Sequence, residues 1–382
     1  MIIHGSECTG MGVGNYKIKK KEFIIIICLF VMFIASMLFT GHNYRFYKQT
    51  IARVINAEIT GQKKVIDRYR NQDMIYTQRL TLQVENGRYE GHEIRVENEY
   101  SQSGVYDDGY QAGDSVFINL NDSKGQYLTG IITGLKRDRY IVLTAWIFII
   151  LIIIIGKRKG FYSVVSLTLN IILFSLAMDL YLKGLNLLLV CGFIVIIFTV
   201  FSLVIVSGRN EKTLAAIIAT VTGTFLSLLI AFLVLWVTGE KGLRYEEMQF
   251  LTRPPHEIFM AEILVGALGA IMDISITMSS SLYEVYQNNT SVTTKALIVS
   301  GTQIGKDIMG TMINVLFFAY VSGAIPMILV YLRNGSTVFY TFSMNLSLEL
   351  VRALTGSIGI IITIPISLYS TVFFIDRRRS LP

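Results

Sequence analysis

Apolar residues gather into eight long runs, and polar residues crowd between the first run and the second. The runs are roughly 23–40, Tyr140–Gly156, Phe161–Leu182, Leu187–Val206, Thr213–Thr238, Ile258–Met278, Ile308–Leu332 and Val351–Ile375. Each has about the length a tilted helix needs to cross a bilayer. A chain inside hydrocarbon must satisfy its own backbone hydrogen bonds, so the runs predict helices. Residues 41–139 follow another rule. Thr50–Ile55, Thr77–Val84, His92–Val96 and Ser115–Leu120 alternate with a period near two, and Gln126–Gly134 offers a further strand. Glu85-Asn86-Gly87, Asp107-Asp108-Gly109 and Ala112-Gly113-Asp114 supply turns between them. Short strands with no helix between them predict a small antiparallel β domain. The expected fold class is an α-helical polytopic membrane protein of about eight transmembrane helices. Between helices 1 and 2 it carries a small extracytoplasmic antiparallel β domain, a barrel or a sandwich.

Composition removes the soluble alternative. Of 382 residues, 52% are hydrophobic and 16% charged, with a mean hydropathy of +0.53. A soluble domain is charged at about one residue in four. The net charge of +7 is concentrated beside the apolar runs, at Lys17, Lys19, Lys20 and Lys21, at Lys157-Arg158-Lys159 and at Arg377–Arg379. That is the pattern of basic cytoplasmic loops, and nucleic acid is not an expected partner. It predicts a cytoplasmic basic N-terminus (1–22), a first span (23–40) and an extracytoplasmic β domain (41–139). A seven-helix membrane domain (140–375) and a cytoplasmic basic tail (376–382) follow. Both termini are then inside a multi-pass protein of the plasma membrane. Ala35-Ser36-Met37 is a weak match to a signal-peptide cleavage site, and the first run is longer than a signal core, so an uncleaved span is expected.

The chemistry that is absent narrows the function. Cys8, Cys28 and Cys191 form no CxxC, and His4, His42, His92 and His256 are scattered, so neither a metal nor a cofactor is expected. There is no GxxxxGK[ST], no HExxH and no GxSxG. Asp273 and Asp307 lack a Gly-x-Gly-Asp setting. The chain is not expected to be an enzyme.

The polar positions inside the last three runs carry what mechanism the sequence offers. Glu262, Gly266, Gly269, Asp273, Thr277, Ser280 and Glu284 form one stripe at 3.6 residues per turn. Carboxylates at membrane depth are costly, so a stripe of this kind faces other helices or water. It is either a packing seam or a path for an ion, proton or substrate. Asp307, Thr311 and Asn314 share a face of the seventh run, where Asp307 either caps the helix or continues the path. Arg352, Gly356, Gly359 and Thr363 share a face of the eighth, with Glu349 placed to pair locally with Arg352. Gly266, Gly269, Gly310, Gly356 and Gly359 are candidates for close helix packing. Ser291–Gly305 reads as a short amphipathic helix at the interface.

Three stretches resemble the YibE/F family of multi-spanning prokaryotic membrane proteins. They are Gly266–Ser275, Gly305-Lys306-Asp307 running on to Asn314 and Pro326, and Glu349, Arg352 and Gly356–Gly359 with Pro365. The outer stretch 91–113 is similar to the longer, YibE-like members. The resemblance implies an architecture and a companion. Shorter YibF-like members lack the outer domain, so a heteromer with one of them, or a homo-oligomer, is implied.

The expected function is a permease or transporter subunit in contact with the lipid bilayer. It would move a small solute or ion past Glu262, Asp273, Thr277, Asp307, Thr311, Asn314 and Arg352. The alternative is a non-transporting assembly or accessory protein whose outer β domain binds a partner.

Overall fold

The computed structural model describes residues 20–104, 107–121, 129–248 and 254–380. Lys17, Lys19 and the start of the expected Gln126–Gly134 strand lie outside these residues. The chain forms two compact units, 1–151 and 152–382.

The first unit begins with helix α1 (Lys20–His42), whose described apolar stretch is Ile27–His42. Five strands follow: β1 (Thr50–Ile66), β2 (Gln72–Val84), β3 (Glu93–Ser101), β4 (Ser115–Asn121) and β5 (Thr129–Leu135). They form one antiparallel sheet in the order β3-β2-β1-β4-β5. Among the described residues there is no second sheet, so the sandwich alternative is not what they form. The sheet curls until its edge strands approach, for a Cβ on Gly130 in β5 would lie 3.7 Å from Ile94 Cδ1 in β3. Alternate residues turn into the curl: Leu80, Leu82 and Val84, then Ile94 and Val96, then Val116 and Ile118. Sequence alternation located this core but missed the length of β1 and β2. Beyond Asn56 the side chains of β1 are mostly exposed, as at Gln62, Lys63 and Lys64, and Asp73–Thr77 of β2 are half-buried without alternation, so no buried face imposes a period of two there.

Two buried amides fix the loops of this sheet. Asn86 accepts from Ile51 N (2.6 Å) through Oδ1, and its Nδ2 donates to the carbonyls of Tyr44 (2.8 Å) and Gln49 (3.1 Å). Gln78 likewise holds both the N–H (2.9 Å) and the carbonyl (3.0 Å) of Tyr110. At the base of the sheet, Lys136 Nζ donates to Thr40 O (2.7 Å) and pairs with Asp138 (3.1 Å), its side chain only 4% exposed. Tyr47 donates to the same carboxylate. Its phenol is held above the ordinary tyrosine pKa, first by that hydrogen bond and then by burial. The start of α2 (Asp138–Leu182) closes the unit, Trp146 donating to Ser36 Oγ of α1 at 2.7 Å.

The second unit holds the rest of α2 with α3 (Leu187–Ser207), α4 (Glu211–Thr238), α5 (Pro255–Asn288), α6 (Thr294–Arg333) and α7 (Val338–Arg379). Helix α2 bends at Lys157, whose backbone is left-handed (φ 47°, ψ −121°). A Cβ on Gly160 would lie 2.2 Å from Ile152 O, so only glycine fits the bend. The second and third expected runs are thus two helical stretches that meet at a sharp kink, since Gly160 could not approach the Ile152 carbonyl along one continuous helix. With α2 counted once, the described residues hold seven helices, six of them long and apolar enough to cross a membrane.

Helix α7 packs on α4, α5 and α6. The expected interfacial helix at Ser291–Gly305 is not separate. From Thr294 it is the opening of α6, and its apolar side packs on protein: a Cβ on Gly301 would meet Leu368 and Leu282, and one on Gly305 would meet Ile364. Asp307 does not cap this helix, because Thr293 does, accepting from Ala296 N at 3.2 Å.

Asn86→Ala should lower the stability of the β unit by about 2 kcal/mol, since three backbone groups lose their buried partner. Thermal melting with hydrogen exchange at Ile51 checks this. Unchanged exchange at that amide would refute the pin.

Candidate functional site

Helix α5 is sorted by chemistry around its circumference. Ala267, Ile271, Ile274, Met278 and Leu282 are buried in the core. On the opposite side Glu262, Gly266, Gly269, Asp273 and Glu284 are exposed, with Thr277 and Ser280 half-buried. The stripe thus lies on one face, and that face points away from the packed core. Among the described residues Asp273 has no hydrogen-bond or ion-pair partner.

Helix α6 repeats the arrangement. Leu297, Gly301, Gly305 and Leu316 are buried, whereas Asp307, Gly310, Thr311 and Asn314 are exposed. Gln303 donates to Asp307 Oδ1 at 3.1 Å, and Thr311 donates to Ile308 O at 2.8 Å. Both contacts are local, and no hydrogen bond or ion pair among the described residues joins Asp307 to Asp273. The contacts among the last three helices are made by packed side chains. A Cβ on Gly356 would lie 2.5 Å from Leu316 Cδ2, and one on Gly359 would lie 2.8 Å from Ile271 Cδ1. Gly266 meets the Tyr320 hydroxyl in the same way. Gly269 and Gly310 face open space, so the close approach expected there is not found.

Arg352 is the exception to this outward sorting. Its Nη1 donates to Glu349 Oε1 (2.5 Å) and its Nη2 to Glu262, while the guanidinium lies 5.3 Å from the centre of the Phe259 ring. The expected local pair with Glu349 is therefore extended to α5. Glu262 becomes part of a clamp between helices, carrying one more negative charge than positive.

A second polar array was not anticipated. Hydroxyls are buried on three packed helices: Thr220, Thr224 and Ser227 on α4, Ser275 and Ser279 on α5, and Thr363, Ser367 and Thr371 on α7. Ser279 and Thr371 hydroxyls are hydrogen-bonded at 2.9 Å, and Ser367 donates to Ser275 O at 3.1 Å. Ser227 donates to Thr355 O at 2.9 Å. Gly223 makes room for this seam, since a Cβ there would lie 2.0 Å from Thr363 Oγ1. The sequence signal was present as small and hydroxyl residues four apart, at Gly223-Ser227 and at Gly359-Thr363-Ser367-Thr371. Attention to charge passed over it. Among the described residues no group of three His, Cys, Asp or Glu could hold a metal ion.

The comparisons fit this geometry. The profile of the YibE/F-like protein matches residues 144–377, and that of the YibE/F family N-terminal domain matches 45–135. The chain belongs to the YibE/F family. No curated protein and no solved structure matches it. This YibE/F protein is a multi-pass membrane protein whose apolar helices contact the bilayer, with an antiparallel β sheet in its N-terminal unit.

Arg352→Gln should destabilise the helical unit by about 1–2 kcal/mol, a value reduced because Glu262 is 42% exposed. Adding Glu262→Gln should recover part of the loss by removing the excess carboxylate. Melting temperatures of the single and double variants test the clamp, and additive losses would refute it.

Proposed function

We propose that this YibE/F protein is a transport subunit of the plasma membrane, not an enzyme. Its polar path lies on the outward faces of α5 and α6 and is closed by a second membrane subunit. The observation that carries this reading is Asp273, an exposed carboxylate in the middle of an apolar helix with no partner among the described residues. A charged side chain at the centre of a spanning helix costs about 3 kcal/mol, so a lipid-facing Asp273 is an unfavourable resting state. A polar face on a partner, with water between, removes that cost. A second copy of this chain or a shorter YibF-like member would serve. The small solute or ion would then pass Asp273, Thr277, Asp307, Thr311 and Asn314, with Arg352 and Glu262 clamping the outer end. In this orientation both termini are cytoplasmic and residues 41–139 form the extracytoplasmic domain.

One observation favours a second reading. The interior of the helical unit is closely packed, as an assembly or accessory protein would be, and its β unit would then be the part that binds a partner.

Flux separates the two. The affinity-purified complex is reconstituted in liposomes and loss of an imposed proton or potassium gradient is followed by dye. The proposal expects gradient loss above that of empty liposomes, cut roughly tenfold by Asp273→Asn with insertion unchanged. Gradient loss equal to that of empty liposomes, or an unaffected Asp273→Asn variant, would establish the accessory reading instead.

A further inference from the structure

The base of the β unit holds a cavity that the transport reading does not use. It measures about 410 Å³ and lies where α1 ends and α2 begins, bordered by His42, Tyr44, Arg53, Ser115, Lys136 and Arg139. Three of these side chains are fixed cations and the lining has one carboxylate, Asp114. Their commitments differ. Arg53 is paired with Glu85 at 3.0 Å and donates to the Tyr44 hydroxyl, also at 3.0 Å. Lys136 is held by Asp138 and Thr40, as described above. Asp114 accepts from Gln111 N at 2.8 Å. Arg139 is exposed and has no partner among the described residues, so its guanidinium is the cation free to meet a ligand.

A second hollow begins where this one ends. A groove of about 740 Å³ is lined by Leu135, Tyr140, Ile141, Thr144, Ala145 and Phe148, with Arg137 at its rim. Leu135 and Tyr140 border both spaces. From Tyr140 to Phe148 these residues recur at one-turn spacing, so they form a strip down one face of α2. Thr144 spends its hydroxyl on Tyr140 O at 3.0 Å, which leaves the strip apolar. Tyr140 and Ile141 are 60% and 66% exposed. A basic, hydrogen-bonding pocket is thus continuous with an open apolar groove, at the start of a helix long and apolar enough to cross a bilayer. Tyrosines are characteristic of the ends of such helices.

We propose that this junction is a binding site for one anionic phospholipid. Its phosphate and headgroup occupy the cavity, facing Arg139 with Arg53 and Lys136 behind, and one acyl chain lies along the groove from Tyr140 to Phe148. Arg139 supplies the paired N–H donors that suit a phosphate. The Ser115 hydroxyl borders the same space. A soluble phosphate would use the cavity and leave the groove empty, whereas an uncharged lipid would use the groove and leave Arg139 unmatched. Only a lipid with an anionic head fills both. The bound lipid would brace the β unit against the surface from which it rises, and this role is independent of transport.

The full chain in mild detergent is titrated with phosphatidylglycerol or phosphatidylcholine of the same acyl chains, and retained lipid is counted by native mass spectrometry. Wild type should retain phosphatidylglycerol about fivefold better, the effect of one well-placed cation. Arg139→Gln should abolish that preference. Arg79→Gln, the same charge change on the far part of the sheet, should leave it intact. Ala145→Trp, which obstructs the groove, should weaken retention of both lipids. Equal retention by wild type, a preference that survives Arg139→Gln, or equal losses in Arg139→Gln and Arg79→Gln would overturn the site. Displacement of the lipid by inorganic phosphate alone would also overturn it, by showing that the groove contributes nothing.

Discussion

Water is absent from the hydrocarbon core, so each polar side chain on a spanning helix needs a protein partner or remains unsatisfied at a cost. The helical unit answers this demand in two ways at once. Hydroxyls are turned inward: those of Ser227, Ser275, Ser279, Thr363, Ser367 and Thr371 are buried between α4, α5 and α7, and their donors reach carbonyls or one another. Such bonds contribute on the order of 0.6 kcal/mol each, but they also set the register in which Gly223 and Gly359 admit α7 to close range. The carboxylates are treated oppositely. Asp273 and Asp307 are left on faces the core does not use.

The β unit obeys a related rule in a wetter setting. Its strands satisfy one another, and its loops are held by side-chain amides inserted where backbone partners run out, Asn86 beneath residues 44–51 and Gln78 beside Tyr110. A buried lysine is an unusual choice for the base. Lys136 is tolerated because Asp138, Thr40 O and the rings of Tyr44 and Tyr47, 5.5 and 5.6 Å from its nitrogen, replace its hydration. The consequence is that Asp138 and Thr40, at the start of α2 and near the end of α1, are tied to one charge.

Much of this was legible in the chain. Alternation at Leu80-Leu82-Val84 marked a buried sheet face, and the stripe from Glu262 to Glu284 was correctly placed on one side of α5. What the sequence left open was whether a shared face becomes a shared interior. Helical spacing says which residues point together; it does not say whether they point at a neighbour. That depends on where α7 packs, and the evidence for it lay in glycines and hydroxyls that hydropathy hardly weights. The break expected between the second and third runs is present at Lys157, where a left-handed backbone is followed by Gly160. One boundary failed for a local reason: 294–305 resembled a surface helix because its apolar side is narrow. That side is narrow because Gly301 and Gly305 occupy it.

The outward carboxylates and the Arg352 clamp then form a contrast within one helix. Glu262 lies three turns from Asp273 on the same stripe of α5, yet only Glu262 is given a cation by its own chain. The difference is one of depth. Near the helix start, α7 can present Arg352 together with Glu349. Farther along, α7 sets Gly359 against Ile271 and Ser367 against the Ser275 carbonyl of α5, and both are too short to reach round to Asp273. Placing an arginine at Gly359 would force the helices apart, because a Cβ there already lies 2.8 Å from Ile271 Cδ1 of α5 and from Ser227 Oγ of α4. Close packing along this seam therefore leaves α7 no long side chain to offer Asp273, and among the described residues no other helix supplies one.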